Sequence, residues 1–262
     1  MSDFIISSIA RGEDFWFRDS FIDTLWDSLK KHNVLLLAPR RIGKTSVMYR
    51  LLDYPRDGFL VIHLNVEDLR SPEDFFIELI DAIHEHQPEF FRKVLVDSWD
   101  FLKGIFNRIE KVELYKMKLE IRKSDLRARW KERADELMER VMKSNQQVLF
   151  IIDELPDMLN AMLLHANDEY ETFLHWFRIL REKSLKRNIR WLVGGSVNLI
   201  SVLDRQSKIR LINDLKPEPL SPFDEDEVRE FLTGMFKDRG VIYDDTVIPK
   251  VIELLGSPIP LF

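Results

Sequence analysis

A glycine, a lysine and a threonine in direct succession suit phosphate chemistry, and they stand in the segment Ala38-Pro39-Arg40-Arg41-Ile42-Gly43-Lys44-Thr45-Ser46. The spacing fits the phosphate-binding loop G-x-x-x-x-G-K-S/T, with an alanine in place of the first glycine. Backbone N–H groups of such a loop point into one concavity at a helix N-terminus, and Gly43 allows phosphate oxygens to come close. We therefore predict that residues 38–46 bind a nucleotide, with Lys44 reaching the β- and γ-phosphates and Thr45 ligating Mg²⁺.

Two arginines, Arg40 and Arg41, lie inside this loop. They could contact phosphate directly, or present charge to a partner chain. We favour a third interpretation, in which they are solvated or paired with nearby acids.

Two carboxylates, Asp153 and Glu154, follow the apolar run from Val148 to Ile152. A phosphate-binding loop needs a second acid for its metal ion, so we predict that Asp153 binds Mg²⁺ through water. Glu154 is then the general base that polarises the attacking water. The alternative for Glu154 is a structural role, as a helix-capping or ion-pairing acid.

A third site candidate ends the run from Trp191 to Ser196. Ser196, or less favourably Asn198, could lie beside the γ-phosphate and sense it, and the alternative is a strand-ending turn of small residues. GTPases use an Asn-Lys-x-Asp motif to select guanine, and Asn213-Asp214-Leu215-Lys216 does not fit it, so ATP is favoured. The histidines are scattered, and we expect no histidine metal site.

Short apolar runs alternate with segments of helical spacing, which predicts a mostly parallel sheet covered by helices on both faces, an α/β fold. Residue 44 falls at the N-terminus of a helix, and caps are predicted at Ser71-Pro72 and at Asp224 with Glu227. Alternating residues at 112–121 indicate an exposed strand or hairpin. The predicted strands are 34–37, 59–66, 148–152, 189–194 and 215–220, and the other helices are 15–30, 72–86, 125–143, 170–186, 225–240 and 245–255.

Composition narrows the class of protein. With 262 residues and 45% hydrophobic content, the chain can bury one sizeable core. A net charge of −6 argues against nucleic-acid binding by bulk electrostatics, and the lack of cysteine excludes disulfides and thiolate sites. No apolar run approaches the ~20 residues that span a bilayer, so we expect a cytoplasmic protein without a membrane partner.

Four segments together resemble the archaeal and bacterial P-loop ATPases of the AAA+/STAND type, within the class that has an additional catalytic glutamate. The segments are 14–18, 39–45, 151–156 and 256–258. The resemblance implies a parallel five-stranded sheet in which another strand separates the loop strand from the Asp153 strand. It also implies that Phe15 and Arg18 lie near adenine, and that Pro258 touches the nucleotide, although Pro258 could be an ordinary helix stop.

The resemblance also implies a domain plan: an ATPase core at 1–222, with a charged insert at about 88–143, and a partial helical lid subdomain at 223–262. Relatives typically carry a winged-helix domain after the lid, so we expect truncation and leave any DNA-binding role in doubt. An arginine from a neighbouring subunit of a homo-oligomer is common in AAA+ rings. Arg178, Arg181 and Arg187 are candidates, and a solvated face is the favoured alternative for each.

These observations support one leading function, an ATPase that uses Mg²⁺ with ATP or ADP to couple nucleotide state to lid movement and to an unidentified protein partner. The first alternative is a slow-turnover nucleotide-gated switch or scaffold, with the 88–143 insert and its Trp99 and Trp130 as a partner surface. If Trp130 and Trp99 instead fill the core, that surface is lost. The second alternative is a nucleic-acid-associated ATPase whose DNA-binding domain is missing.

Overall fold

Five parallel strands form one sheet in the order β2-β3-β4-β1-β5. The computed structural model describes residues 9–12, 15, 18–39, 42–95, 123–196, 212–244 and 246–255. The strands are β1 Asn33–Ala38, β2 Leu60–Asn65, β3 Val148–Asp153, β4 Ile189–Ser196 and β5 Leu215–Pro219. The predicted α/β fold with a parallel five-stranded sheet is confirmed.

Helices connect and cover the strands, as expected for parallel neighbours. Through the first half of the chain they are α1 Asp19–Leu29, α2 Lys44–Asp53, α3 Pro72–His86, α4 Pro88–Leu95 and α5 Lys123–Lys143. Those that follow β3 are α6 Leu155–His165, α7 Asn167–Leu185, α8 Glu225–Asp238 and α9 Val247–Leu255. No helix of the described residues is both long and apolar enough to cross a lipid bilayer.

Strand β4 lies between β1 and β3, as the resemblance implied. Ala38 at the end of β1 is in register with Ser196 at the end of β4, and Asp153 at the end of β3 is in register with Asn65 at the end of β2. Because all strands are parallel, these ends meet at one edge of the sheet, which we call the carboxyl edge. Open α/β sheets bind ligands at this edge.

Both faces of the sheet are buried, and alternate side chains of each strand enter opposite layers of the core. Leu149 and Ile151 of β3 pack in the layer beneath α1 and α2, whereas Phe150 and Ile152 pack in the layer beneath α3, α5 and α7. Strands covered on both faces are continuously apolar, which is why these runs could be recognised from sequence.

The described part of the 88–143 segment contributes one buried face to the core and keeps charged residues on its exposed face. Helix α4 was not predicted, and together with α5 it packs against α3. Trp130 is 5% exposed, and its ring lies 5.3 Å from the Trp176 ring and 6.3 Å from the Phe173 ring. It is therefore a core residue and no partner surface. Trp99 and the hairpin predicted at 112–121 lie outside the described residues.

The predicted caps form. The Ser71 side chain accepts a hydrogen bond from the Asp74 backbone N–H, with Pro72 at the start of α3. The Asp224 carboxylate accepts from the Glu227 N–H, and the Glu227 carboxylate accepts from the Asp224 N–H, both at 2.8 Å. Helices α8 and α9 share an apolar cluster of their own, and the boundaries of a lid subdomain stay a prediction.

Candidate active site

The loop between β1 and α2 brings Lys44 and Thr45 to the carboxyl edge of the sheet. Gly43 precedes α2 as its N-cap residue with φ +86°, a left-handed conformation that favours glycine. Lys44 and Thr45 are consequently the first residues of the helix, where backbone N–H groups have no partner within it. Arg40 and Arg41 lie outside the described residues, and Pro39 is exposed.

The loop and the acidic strand end meet directly, as the sequence predicted. The Lys44 ammonium Nζ lies 3.0 Å from Asp153 Oδ1 and 2.7 Å from Glu154 Oε1. The Thr45 hydroxyl donates a 2.8 Å hydrogen bond to Asp153 Oδ2. Residues more than 100 positions apart therefore assemble one cluster in which two carboxylates, an ammonium and a hydroxyl surround the start of α2.

Asp153 is the buried member of this cluster and Glu154 the accessible one. The Asp153 side chain is 5% exposed, and its Oδ1 also accepts a 3.0 Å hydrogen bond from the Glu154 backbone N–H. The Glu154 side chain is 29% exposed. Burial removes water from a carboxylate, and this costs free energy unless other groups replace the lost hydrogen bonds. Lys44 and Thr45 provide these replacement contacts for Asp153.

Glu154 departs from the strand conformation, with φ 60° and ψ 35° in the left-handed region. It is the N-cap residue of α6, but its side chain makes no capping hydrogen bond. Of the two structural roles considered for Glu154, capping is thus not realised, whereas the ion pair is. The turn directs the carboxylate back toward Lys44.

Gly194 of β4 is a site residue that the sequence analysis missed. An added Cβ at this position would overlap the terminal methyl of Met48 on α2 and lie 3.1 Å from Asp153 Oδ1. Glycine here leaves the space in which the Asp153 carboxylate and α2 pack together. The Gly-Gly pair at 194–195 was visible in the sequence, where the predicted strand ended at Gly194 and a turn of small residues was one alternative.

Strand β4 in fact continues through both glycines to Ser196, so the turn considered there does not form. Ser196 ends its strand in register with Ala38, at the base of the loop. Its position along the strand suits the predicted γ-phosphate contact, which stays a prediction. Asn198 lies outside the described residues, as does Pro258.

The N-terminal segment packs beside the loop. The Ser46 hydroxyl accepts a 3.0 Å hydrogen bond from the Ala10 N–H, so this side chain anchors the segment. Phe15 packs against the core layer of α1 and α2, with the Arg50 guanidinium 5.3 Å from its ring centroid. Ala10 therefore borders the loop, whereas Phe15 lies alongside α2, and the predicted adenine contact of Phe15 stays a prediction.

Arg18 connects this segment to the residues that precede α8. It is 8% exposed, and its Nη1 donates a 2.8 Å hydrogen bond to the Ser221 carbonyl. Its guanidinium lies 4.0 Å from the Phe223 ring centroid. Burial lowers the pKa of Arg18, and the nearby charge of Glu227 opposes this effect. The adenine contact of Arg18 stays a prediction.

The residues present fit a magnesium site of the kind that uses few protein ligands. The Thr45 hydroxyl and the Asp153 carboxylate are hard oxygen donors held next to each other. Within the part of the chain described, no group of three or more His, Cys, Asp or Glu side chains could hold a metal ion. Mg²⁺ at nucleotide sites completes its shell with phosphate oxygens and water, so the pair is the expected donor set.

Arg181 is unsuited to act on a neighbouring subunit. It is 1% exposed, and its guanidinium forms two hydrogen bonds, of 2.7 and 2.8 Å, with the Asp214 carboxylate. The prediction of a solvated face was wrong for this residue, because Asp214, immediately before β5, neutralises it inside the fold. Arg178 pairs with Glu182 along α7 at 2.8 Å, and Arg187 is exposed.

His63 of β2 is a buried histidine near the cluster. Its ring centroid lies 4.8 Å from that of Tyr49 and 6.5 Å from that of His86. Its Nε2 atom is buried without a hydrogen-bond partner among the described residues. Burial lowers the pKa of His63, and the charge of Asp153 partly opposes the effect.

Comparison with known proteins places the fold. No family model matches the sequence, and neither does any curated protein. A Walker-type ATPase of Pyrococcus abyssi has a similar structure, with a TM-score of 0.65 and 20% sequence identity. The alignment covers 98% of this chain and 68% of the Pyrococcus chain. From Aeropyrum pernix, the ORC1 protein in complex with DNA matches 94% of this chain and 58% of its own (TM-score 0.53, 14% identity).

The ORC2 protein of Aeropyrum pernix, in ADPNP-ADP complexes, matches 96% of this chain and 59% of its own, with a TM-score of 0.54 and 15% identity. This chain thus spans little more than half the length of either ORC protein. Likeness at these identities establishes the fold, which is that of P-loop ATPases.

Proposed function

We propose that the protein binds ATP with Mg²⁺ and hydrolyses it at the cluster formed by Lys44, Thr45, Asp153 and Glu154. The observation that supports this proposal best is the pairing of Lys44 with both carboxylates, at 3.0 and 2.7 Å. Lys44 at the start of α2 faces the two acids at the end of β3. The lysine supplies the positive charge that phosphate groups require, and the acids supply the negative charge that a metal ion requires.

Each residue has a distinct role in this mechanism. Lys44 and the N–H groups at the start of α2 bind the phosphate chain, and the Lys44 charge stabilises the negative charge that develops during transfer. Mg²⁺, when bound, neutralises phosphate charge and orients the terminal phosphate. Thr45 and Asp153 would hold it, and Glu154 accepts a proton from the attacking water.

Substitution of Glu154 tests the proposal. Glu154→Gln keeps the shape of the side chain but cannot accept the proton, so we expect ATP turnover to fall at least about a hundredfold while nucleotide binding persists. Lys44→Ala should lose nucleotide binding itself. Glu132→Gln on α5, which is exposed and remote from the site, is the matched control and should behave as the parent protein does.

Calorimetric titration with ATP, ADP and GTP, each with and without Mg²⁺, complements the turnover assay. Preference for adenine nucleotides with Mg²⁺ is the expected result. Turnover by Glu154→Gln at the parent rate would refute the role of Glu154, and absence of ATP binding by the parent would refute the whole proposal.

A second candidate, a slow-turnover nucleotide-gated switch, is favoured by the ion pair between Lys44 and Glu154. A base that is held by the phosphate-binding lysine is not free to activate water, so hydrolysis would wait until nucleotide displaces the lysine. Tight binding of ADP with negligible steady-state turnover would support the switch. Rapid turnover by the parent would support the ATPase.

Membership of the AAA+/STAND type, lid movement and coupling to a protein partner are parts of the same proposal. Arg18 supports a lid role, because it ties the segment before α1 to the Ser221 carbonyl just before α8. A nucleic-acid-associated role is a further proposal, motivated by the ORC1 neighbour in complex with DNA. A salt-dependent DNA shift assay tests it.

A further inference from the structure

A cavity of about 470 Å³ lies between α5 and α7, away from the proposed catalytic cluster. Its lining comes from the last turns of both helices and from the residues after α7. These helices end immediately before β3 and β4 begin, so the cavity lies at the amino edge of the sheet. Lys44 and Asp153 lie at the opposite, carboxyl edge.

The rim of this cavity is rich in cations. Lys143, Lys183, Lys186 and Arg187 all line it, and all are exposed. Among the residues that the structure describes, none of the four forms an ion pair. The chain as a whole carries a net charge of −6, so this concentration of positive charge runs against the average of the molecule.

Acids at the cavity only partly offset that charge. Glu139 and Glu182 also line it, but the Glu182 carboxylate accepts a 2.8 Å hydrogen bond from Arg178, which lies outside the lining. Mutual repulsion among the cations is therefore relieved only in part from within the fold.

Two of the side chains that line the cavity are apolar. Met142 is 8% exposed and Ile179 is 50% exposed, and both contribute to the lining. Ile179 precedes Lys183 by one helical turn, so the two side chains share a face of α7. The exposed apolar area of Ile179 would gain free energy from contact with an apolar side chain of a partner.

We propose that this cavity docks an acidic peptide segment of a partner protein. A bulky apolar side chain of the peptide fills the space against Ile179 and Met142, and carboxylates on either side of it pair with the lysines on the rim. This is the familiar pattern of an interface with an apolar anchor and a charged rim. A DNA duplex would contact only the lysines and the arginine of the rim, because its phosphate backbone has no apolar group that could pack against Ile179.

The position of the cavity has a consequence for the two sites. Peptide at the amino edge does not compete for space with nucleotide at the carboxyl edge, so both can be bound at once. The proposal is also independent of catalysis, since it uses none of the residues assigned to ATP.

Fluorescence anisotropy with a labelled peptide of about 12 residues tests the inference, using glutamates on both sides of a central tryptophan. We expect saturable binding to the full chain. Replacing the glutamates of the peptide by glutamines, or its tryptophan by alanine, should each weaken binding at least about tenfold. On the protein, Lys183→Glu with Lys186→Glu should do the same, and Ile179→Ser should weaken binding about threefold or more.

Matched controls separate the cavity from general electrostatics. Lys131→Glu with Lys237→Glu changes net charge equally at exposed lysines outside the lining, and binding should change less than about twofold. Lys44→Ala should bind the peptide as the parent does, even if ATP binding is lost.

Three outcomes overturn the inference: no saturable binding of the acidic peptide, equal weakening in the control variant, or an unchanged affinity after removal of the tryptophan. Binding of a DNA duplex that depends on Lys183 and Lys186, with no peptide binding, would assign the cavity to nucleic acid instead.

Discussion

Gly194→Ala should impair ATP turnover although Gly194 has no side chain to contact the nucleotide. The new methyl would lie 3.1 Å from Asp153 Oδ1 and 3.3 Å from the Ile152 carbonyl oxygen, and it would overlap the end of Met48. The Met48 side chain is flexible and can turn away. The Asp153 carboxylate cannot retreat freely, because Oδ1 is held by Lys44 and by the Glu154 N–H.

The size of the effect follows from the displacement. The Asp153 carboxylate must move by a few tenths of an ångström, and a misplacement of 1 Å at a catalytic site costs about a hundredfold in rate. We therefore expect turnover to fall about threefold to tenfold, and the Mg²⁺ concentration for half-maximal rate to rise. Overpacking should lower the free energy of unfolding by about 1–2 kcal/mol. Phosphate release during a Mg²⁺ titration and urea unfolding measure the two effects.

A second variant isolates the cause. Met48→Leu shortens the side chain that the new methyl overlaps, so in the Gly194→Ala background it should recover stability but leave turnover low. Parent-like turnover and Mg²⁺ dependence in Gly194→Ala would refute the reasoning. Full recovery of turnover by Met48→Leu in the Gly194→Ala background would also refute it, because the contact of the new methyl with Asp153 would then have no effect on the rate.

Three further predictions concern stability. Arg181→Met leaves the Asp214 carboxylate without its partner, and urea unfolding should show a loss of about 3 kcal/mol; an unchanged midpoint would contradict this. Burial lowers the pKa of His63 below its ordinary 6.5, so as pH falls through 6.5 the unfolded chain takes up a proton that the folded chain does not. The parent should thus lose stability there, His63→Gln should lose less, and exposed His175→Gln should follow the parent. Asp224→Ala removes the cap of α8 and should cost about 1 kcal/mol by thermal unfolding.

The meeting of Lys44 with Asp153 could be predicted from sequence because two local patterns were enough. A loop of defined spacing follows one apolar run, and a pair of acids follows another. Parallel strands place such ends at one edge whatever lies between them along the chain. The long segment between the two motifs therefore did not obscure the site.

Features that depend on packing between distant residues could not be predicted. The need for glycine at 194 arises from Met48 and Asp153, which come close only in the folded sheet. Arg181 looked like a surface cation because its partner Asp214 follows 33 positions later. Helix α6 was not predicted, although Leu155, Met158, Leu159 and Met162 have helical spacing and Pro156 stands in its first turn, where proline is tolerated.

The left-handed backbone conformation of Glu154 lowers the stability of the fold, whereas the proposed activity requires the glutamate side chain at this position. A residue with a Cβ in this conformation costs roughly 1–2 kcal/mol relative to glycine, which adopts it freely. A directed-evolution screen that rewards heat resistance alone should accordingly enrich glycine at this position. Under the proposed mechanism, the selected variants would be more stable but inactive in ATP hydrolysis, whereas a screen that also measures phosphate release would keep the glutamate despite its strain.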